Sequence, residues 1–192
     1  MPDIYIISGA NGSGKTTCAM TILPQFLQIM EFVNADEIAK GISPFNPESV
    51  AIQAGKIMLE RLDLLTSQKK DFAFETTLSS RHYARFLRKC RQMGYRINLL
   101  YFWLQCPELA ISRVKRRVES GGHNIPEDVI IRRYQRGLIN LFKLYLPLCD
   151  DWLIFDNSKL STVLIARYNQ EIGLTIDNQL LWESMQELIK NQ

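Results

Sequence analysis

Apolar positions along the chain follow two rhythms that alternate. Short runs rich in β-branched and aromatic residues occur at Ile4–Ile7, Glu31–Asn34, Phe72–Phe74, Arg96–Leu104 and Trp152–Phe155, with Val163–Ile165 a candidate sixth. Their length and the polar or glycine residues that bound them predict buried strands. Between them apolar residues recur at helical spacing. Val50, Ala54, Ile57, Met58 and Leu65 mark a helix over Pro47–Ser67. Further helices are predicted from Gly14 to about Met30 with a disturbance at Pro24, over Arg81–Met93 ending at Gly94, and over Pro107–Glu119 ending at Gly121-Gly122. A long basic helix follows over Pro126–Tyr145, and a last one over Asn178–Lys190. Strand alternating with helix predicts an α/β fold, a parallel sheet of about five strands flanked by helices on both faces. Ligands in such sheets bind at the carboxyl ends of the strands.

The chain has 192 residues with no repeat or low-complexity linker, so one domain over 1–192 is expected. Hydrophobic residues make up 46% and charged residues 22%, an ordinary globular balance. The net charge of +3 suits a protein that handles phosphates but falls short of a dedicated nucleic-acid binder. The longest strongly apolar run, Ile97–Leu104, is too short to span a bilayer and contains Asn98. The first eight residues carry no basic segment ahead of an apolar one. A soluble, cytoplasmic protein is therefore expected. Cys18, Cys90, Cys106 and Cys149 form no CxxC pair and have no metal spacing with His82 or His123, so free thiols are expected.

The strongest chemical signal lies between the first strand and the first helix. Gly9-Ala10-Asn11-Gly12-Ser13-Gly14-Lys15-Thr16 fits G-x-x-x-x-G-K-S/T, with Thr17 next in line. A chance match in a chain of this length has odds of roughly one in a hundred or less. Glycines let such a loop curl so that its backbone N–H groups converge on an anion, and the following helix offers its positive end. Lys15 brings a full charge to the β- and γ-phosphates, and the Thr16 hydroxyl is a hard ligand for Mg²⁺. A nucleoside triphosphate, ATP or GTP, is the expected ligand, with no base-reading signature to separate the two.

Three further groups bear on what is done with it. Asp36 and Glu37 follow the second strand and Glu75 ends the third, so Asp36 and Glu75 are expected on the edge where the P-loop opens. A carboxylate there can take the proton of an acceptor hydroxyl or hold Mg²⁺ through water, or it can cap a short helix. Thr76 and Thr77 extend that edge as acceptor contacts or caps, and His123 is a candidate acceptor contact. Arg113 and Arg117 share a helical face, as do Arg132 and Arg136, with Arg133 beside them. Two basic helices joined by a polar, glycine-containing segment predict a lid over 113–136 that closes on phosphates. On these residues a small-molecule kinase is favoured. A kinase or hydrolase of nucleic-acid ends and a non-catalytic nucleotide-binding module remain alternatives.

The segments GANGSGKTT (9–17), FVNADEIA (32–39), FETTLSS (74–80) and SGGHNIPEDVIIRRYQRGLINL (120–141), in that order, resemble the zeta-toxin-like P-loop kinases. The resemblance spans roughly residues 4–157. It implies a nucleoside-kinase-like core, phosphorylation of UDP-N-acetylglucosamine or a related metabolite, and an antitoxin protein as partner. It also implies that Lys15 and Thr16 hold phosphate and Mg²⁺ and that Asp36 is the general base. Glu75 would hold substrate or organise the site, and Arg117 with Arg132 or Arg133 would stabilise the transferring group. Arg113 would stack on the base, by similarity to nucleoside monophosphate kinases.

Overall fold

The computed structural model describes residues 1–122 and 124–190. Five parallel strands form its centre: β1 (Asp3–Gly9), β2 (Phe32–Val33), β3 (Phe72–Thr76), β4 (Arg96–Trp103) and β5 (Asp151–Asp156). Two more, β6 (Val163–Asn169) and β7 (Gly173–Ile176), run antiparallel at one edge, giving the order β2-β3-β1-β4-β5-β6-β7. The sheet thus has seven strands, not about five. The additional edge forms a hairpin that residues 170–172 close.

Alternation along each central strand explains the two layers of helices. Ile4 and Ile6 of β1, Phe72 and Phe74 of β3, and Leu99, Tyr101 and Trp103 of β4 point to one face. Ile7, Ala73, Leu100 and Phe102 point to the other. Both sets are buried, which is why these strands read as unbroken apolar runs. Helix α1 (Lys15–Ile22) covers the second face through Ala19, with Leu23 and Ile29 beyond it. The first face is covered by α3 (Ala51–Ser67), α4 (His82–Gln92) and α7 (Gln179–Lys190). Each fully buried Leu, Ile or Phe contributes about 1.5–3 kcal/mol. Helix α7 is fixed by aromatic stacking: Trp152 lies between Trp182 at 6.1 Å and Tyr168 at 5.9 Å, both near parallel.

Helices α5 (Pro107–Glu119) and α6 (Glu127–Asn140) form a third packed unit with Ala10 and Leu104 through Ala110, Val114, Ile130 and Tyr134. That unit lies directly against the P-loop. The expected helix over Pro126–Tyr145 gives way after Asn140 to a π-helical turn, Leu141–Tyr145, and then to a tight 3₁₀ turn before β5. The first helix likewise ends at Ile22, where Pro24 introduces a π-helical turn, because proline removes an amide donor. A helix not counted among those expected, α2 (Ala35–Ile42), follows β2 directly. The four cysteines are free, Cys90 and Cys149 buried and Cys18 and Cys106 half-buried. No helix among the described residues is long and apolar enough to cross a membrane.

Candidate active site

The parallel register brings the strand ends together. Ile7 is level with Glu75 across β1 and β3, and Val33 is level with Phe74 across β2 and β3. The residues after Gly9, Glu75 and Val33 therefore meet at one edge.

Gly9 makes the P-loop turn possible. Its φ is 142°, and a Cβ there would stand 2.2 Å from the carbonyl oxygen of Phe102 on β4. Any side chain would push the loop off the sheet. Ser13 N donates to Ala10 O at 3.2 Å, closing the curl. No side chain caps α1, so the amides of its first turn face the loop as anion donors. Lys15 is 6% exposed. Its Nζ donates to Ala10 O at 2.8 Å and lies 3.6 Å from Glu75 Oε1. Thr16 Oγ1 donates to Glu75 Oε2 at 2.8 Å, and Asn34 Nδ2 donates to the same oxygen at 2.9 Å. Glu75 is thus the hub of the site, joined to both P-loop side chains that sequence reasoning assigned to phosphate and metal. A carboxylate only 9% exposed is tolerated in this place because a cation and two donors surround it. Asn34 caps α2, its Oδ1 accepting from Asp36 N at 2.8 Å. Asp36 and Glu37 occupy the first turn of that helix, where negative charge is favoured.

Two cavities meet here. One, of about 270 Å³, is lined by Gly12, Gly14, Thr16 and Thr17 of the P-loop, by Arg113 and Arg117 of α5, and by Glu37 and Lys40. The other, of about 180 Å³, is walled by Asn34, Thr76, Thr77, Ser79, Ser80, Tyr83 and Arg133. Asn11, Lys15, Asp36 and Glu75 line both. A third cavity of about 320 Å³ continues the second past Ala35, Asp36 and Arg133 and is mostly apolar, with Pro47, Ile125, Pro126 and Val129 in its walls. Among the described residues no cluster of three or more His, Cys, Asp or Glu could hold a metal alone. The hard oxygens of Thr16 and Glu75, alongside phosphates, are of the kind that would suit a divalent ion such as Mg²⁺.

The arginines separate by position. Arg133 lines the second and third cavities, its Nη1 3.5 Å from Asn11 Oδ1. Arg132 is exposed and lines none of the three. Arg113 donates from Nη1 to Asn157 O at 2.8 Å and from Nη2 to Ser158 O at 2.9 Å. Asn157 Nδ2 in turn donates to Ser13 O at 2.7 Å. Arg113 therefore ties the segment after β5 to α5, and Asn157 ties that segment to the P-loop. Thr76 lines the second cavity, and its Oγ1 accepts from Leu78 N in the loop, so it does not cap the following helix, which begins at His82. His123 lies outside the described residues. Sequence reasoning missed Asn34, Ser79, Ser80 and Tyr83 as site residues. The signal for Asn34 was present, because Asn followed three positions later by Glu37 is a helix-start pattern.

Residues 1–167 match the family model described as zeta toxin. An uncharacterized protein of Haemophilus influenzae is 34% identical over 128 residues, covering 66% of this chain and 88% of that protein. Among solved structures, AvrRxo1-ORF1 in complex with ORF2 and ATP aligns with 96% of this chain and 63% of its own, at a TM-score of 0.79 and 15% identity. The chain thus spans less than two thirds of the AvrRxo1-ORF1 chain. The PezAT chromosomal toxin-antitoxin system of Streptococcus pneumoniae aligns with 100% of this chain and 79% of its own, at a TM-score of 0.65 and 20% identity. At such identities these two likenesses establish the fold alone.

Proposed function

The chain belongs to the zeta toxin family, and from that premise we propose that it is a single-domain kinase. It moves the γ-phosphoryl group of ATP or GTP to a hydroxyl of a small metabolite, with UDP-N-acetylglucosamine the first acceptor to test. One observation carries the reading: Asp36 lines both the P-loop cavity and the hydroxyl-walled cavity beside it. It stands where a donor and an acceptor would meet.

In this reading the triphosphate lies in the first cavity on the amides of the P-loop and of the first turn of α1. Lys15 turns from Ala10 O and Glu75 to the β- and γ-oxygens. The acceptor hydroxyl enters the second cavity and gives its proton to Asp36 as its oxygen bonds to phosphorus and the bridging P–O bond to the nucleoside diphosphate breaks. Arg117 and Arg133, on the lid segment 113–136, stabilise the charge on the transferring oxygens. Mg²⁺, when bound through Thr16, neutralises phosphate charge. An ATP complex of AvrRxo1-ORF1 supports ATP as donor. Its pairing with ORF2, and the toxin-antitoxin system of PezAT, support an antitoxin partner for this chain.

The test is ³¹P NMR of the protein with ATP, Mg²⁺ and UDP-N-acetylglucosamine, followed by a panel of hydroxylated metabolites. A new phosphomonoester signal with wild type and none with Lys15→Ala is expected. Asp36→Asn should lower kcat by about 10²–10⁴ while nucleotide affinity stays within about twofold. No transfer to any acceptor would remove the kinase reading, and normal kcat in Asp36→Asn would remove Asp36 as base.

A further inference from the structure

We propose that Asn34 is a positioning residue that ties the helix bearing Asp36 to Glu75, and through Glu75 to the P-loop. The inference rests on the reading of Asp36 as the base. Both ends of the Asn34 amide are in use: Oδ1 accepts from Asp36 N at 2.8 Å and Nδ2 donates to Glu75 Oε2 at 2.9 Å. The orientation of the amide is fixed by chemistry, since a backbone N–H has to meet the oxygen and a carboxylate has to meet the NH₂. Asn34 is 7% exposed, so neither bond is readily replaced by water.

The surroundings show why such a tie is needed. Helix α2 enters from β2, which is only two residues long, lies at the edge of the sheet and pairs with β3 alone. That is a weak anchor for a helix whose second residue has to be placed within a fraction of an ångström. On its other side Glu75 Oε2 also accepts from Thr16 Oγ1, and Glu75 Oε1 lies 3.6 Å from Lys15 Nζ. One carboxylate oxygen is therefore shared between the P-loop and the base helix. Any displacement of Glu75 relative to Asn34 changes the distance from Asp36 to the phosphate site. A serine or threonine hydroxyl would have to do both from one oxygen, whereas the amide presents the cap acceptor and the donor to the carboxylate on separate atoms.

Two substitutions separate positioning from structure. Asn34→Asp keeps the cap, because aspartate caps helices as well as asparagine, but it cannot donate to Glu75. Asn34→Ala removes both bonds. Turnover is measured with ATP, Mg²⁺ and UDP-N-acetylglucosamine, and with water as acceptor. Nucleotide affinity is followed with a fluorescent ATP analogue and stability by Tm. Asn34→Asp should lower kcat about 10- to 100-fold, the scale of a small misplacement of a reacting group, and change nucleotide Kd less than about threefold. Its second carboxylate beside Glu75 adds like-charge repulsion, so its Tm is not expected to rank above that of Asn34→Ala, which loses both bonds without that repulsion. A kcat within twofold of wild type in both variants would overturn the proposal. If the wild type transfers phosphate to nothing, the kinase reading falls and the tie is judged by ¹⁵N NMR of the unliganded protein. There the Asn34 side-chain NH₂ resonances should shift in Glu75→Gln, and unmoved resonances would show that the tie is absent.

Discussion

Replacing Gly137 by alanine tests how the acceptor side of the site is held. Gly137 lies inside α6, where intrinsic helix propensity alone predicts that alanine stabilises by about 1 kcal/mol. The structure predicts the opposite sign. A Cβ at Gly137 would stand 2.3 Å from the carbonyl oxygen of Thr77, more than 1 Å inside ordinary contact. Neither partner is free to yield. Leu78 sits at a φ of 57°, its N–H donates to Thr76 Oγ1, and its carbonyl accepts from Asn140 Nδ2 at 2.8 Å. Tyr145 OH donates to Ser80 O, two residues on. Helix α6 is also held one turn earlier by Tyr134, whose hydroxyl donates to Leu104 O at 2.7 Å.

Overpacking of this kind costs about 1–3 kcal/mol. Losing the Asn140–Leu78 bond inside the core adds about 1–3 kcal/mol for the polar groups left without partners. Set against the propensity gain, the net loss should be about 3 kcal/mol. In a protein of this size that is about 6–12 °C in Tm. Urea unfolding should show a lower midpoint with an unchanged slope. Because Thr76, Thr77, Ser79 and Ser80 line the cavity proposed for the acceptor, KM for the acceptor should rise while nucleotide affinity changes little. Asn140→Ala should combine non-additively with Gly137→Ala, since both loosen one joint. A Gly137→Ala protein as stable as wild type, or more stable, would refute the close approach and the role given to it.

Three further outcomes follow from the geometry. Arg133→Ala should lower kcat about 10²-fold or more, whereas Arg132→Ala should stay within about twofold; equal losses in a steady-state assay would mean that the exposed residue turns into the site. Arg113→Lys cannot reproduce both bonds to the Asn157 and Ser158 carbonyls, so it should destabilise by about 1–2 kcal/mol and weaken nucleotide binding, and unchanged denaturation and titration curves would count against the pinning role. Burial pushes the hydroxyls of Tyr101, Tyr134 and Tyr145 well above the ordinary value of 10.0. The folded state therefore keeps these phenols neutral where the unfolded chain ionises them, so their contribution is complete below pH 10.0 and declines as pH rises above it. Each group removes at most about 1.4 kcal/mol per pH unit there. Tyr101→Phe should flatten the alkaline fall in Tm, and an unchanged slope would show that another group drives it.

What the sequence revealed and what it concealed divide along a physical line. Strands β1 and β4 were legible because both their faces are buried, which forces a continuous apolar run. Val163–Ile165 marked the start of β6, but Arg167 beyond it and Leu174 of β7 reach solvent, so the rest of the hairpin looks like ordinary surface. The P-loop was legible because its chemistry constrains consecutive residues. Arg113 and Arg117 were placed together by helical spacing, and both line the P-loop cavity. Spacing could not decide between Arg132 and Arg133. Adjacent residues point about 100° apart on a helix, and which one faces the cavity depends on how Tyr134 and Gly137 fix the rotation of α6. The hydroxyl-walled cavity beside the P-loop is the extreme case. Its walls come from the end of β2, the loop after β3, the first turn of α4 and the middle of α6, so its shape is a set of distances between elements. No single stretch of sequence encodes such distances. They rest on joints such as Asn34 with Glu75 and Gly137 with Thr77, whose partners are 41 and 60 residues apart in the chain. Acceptor choice should accordingly respond to changes at these joints as well as at the residues that touch the acceptor.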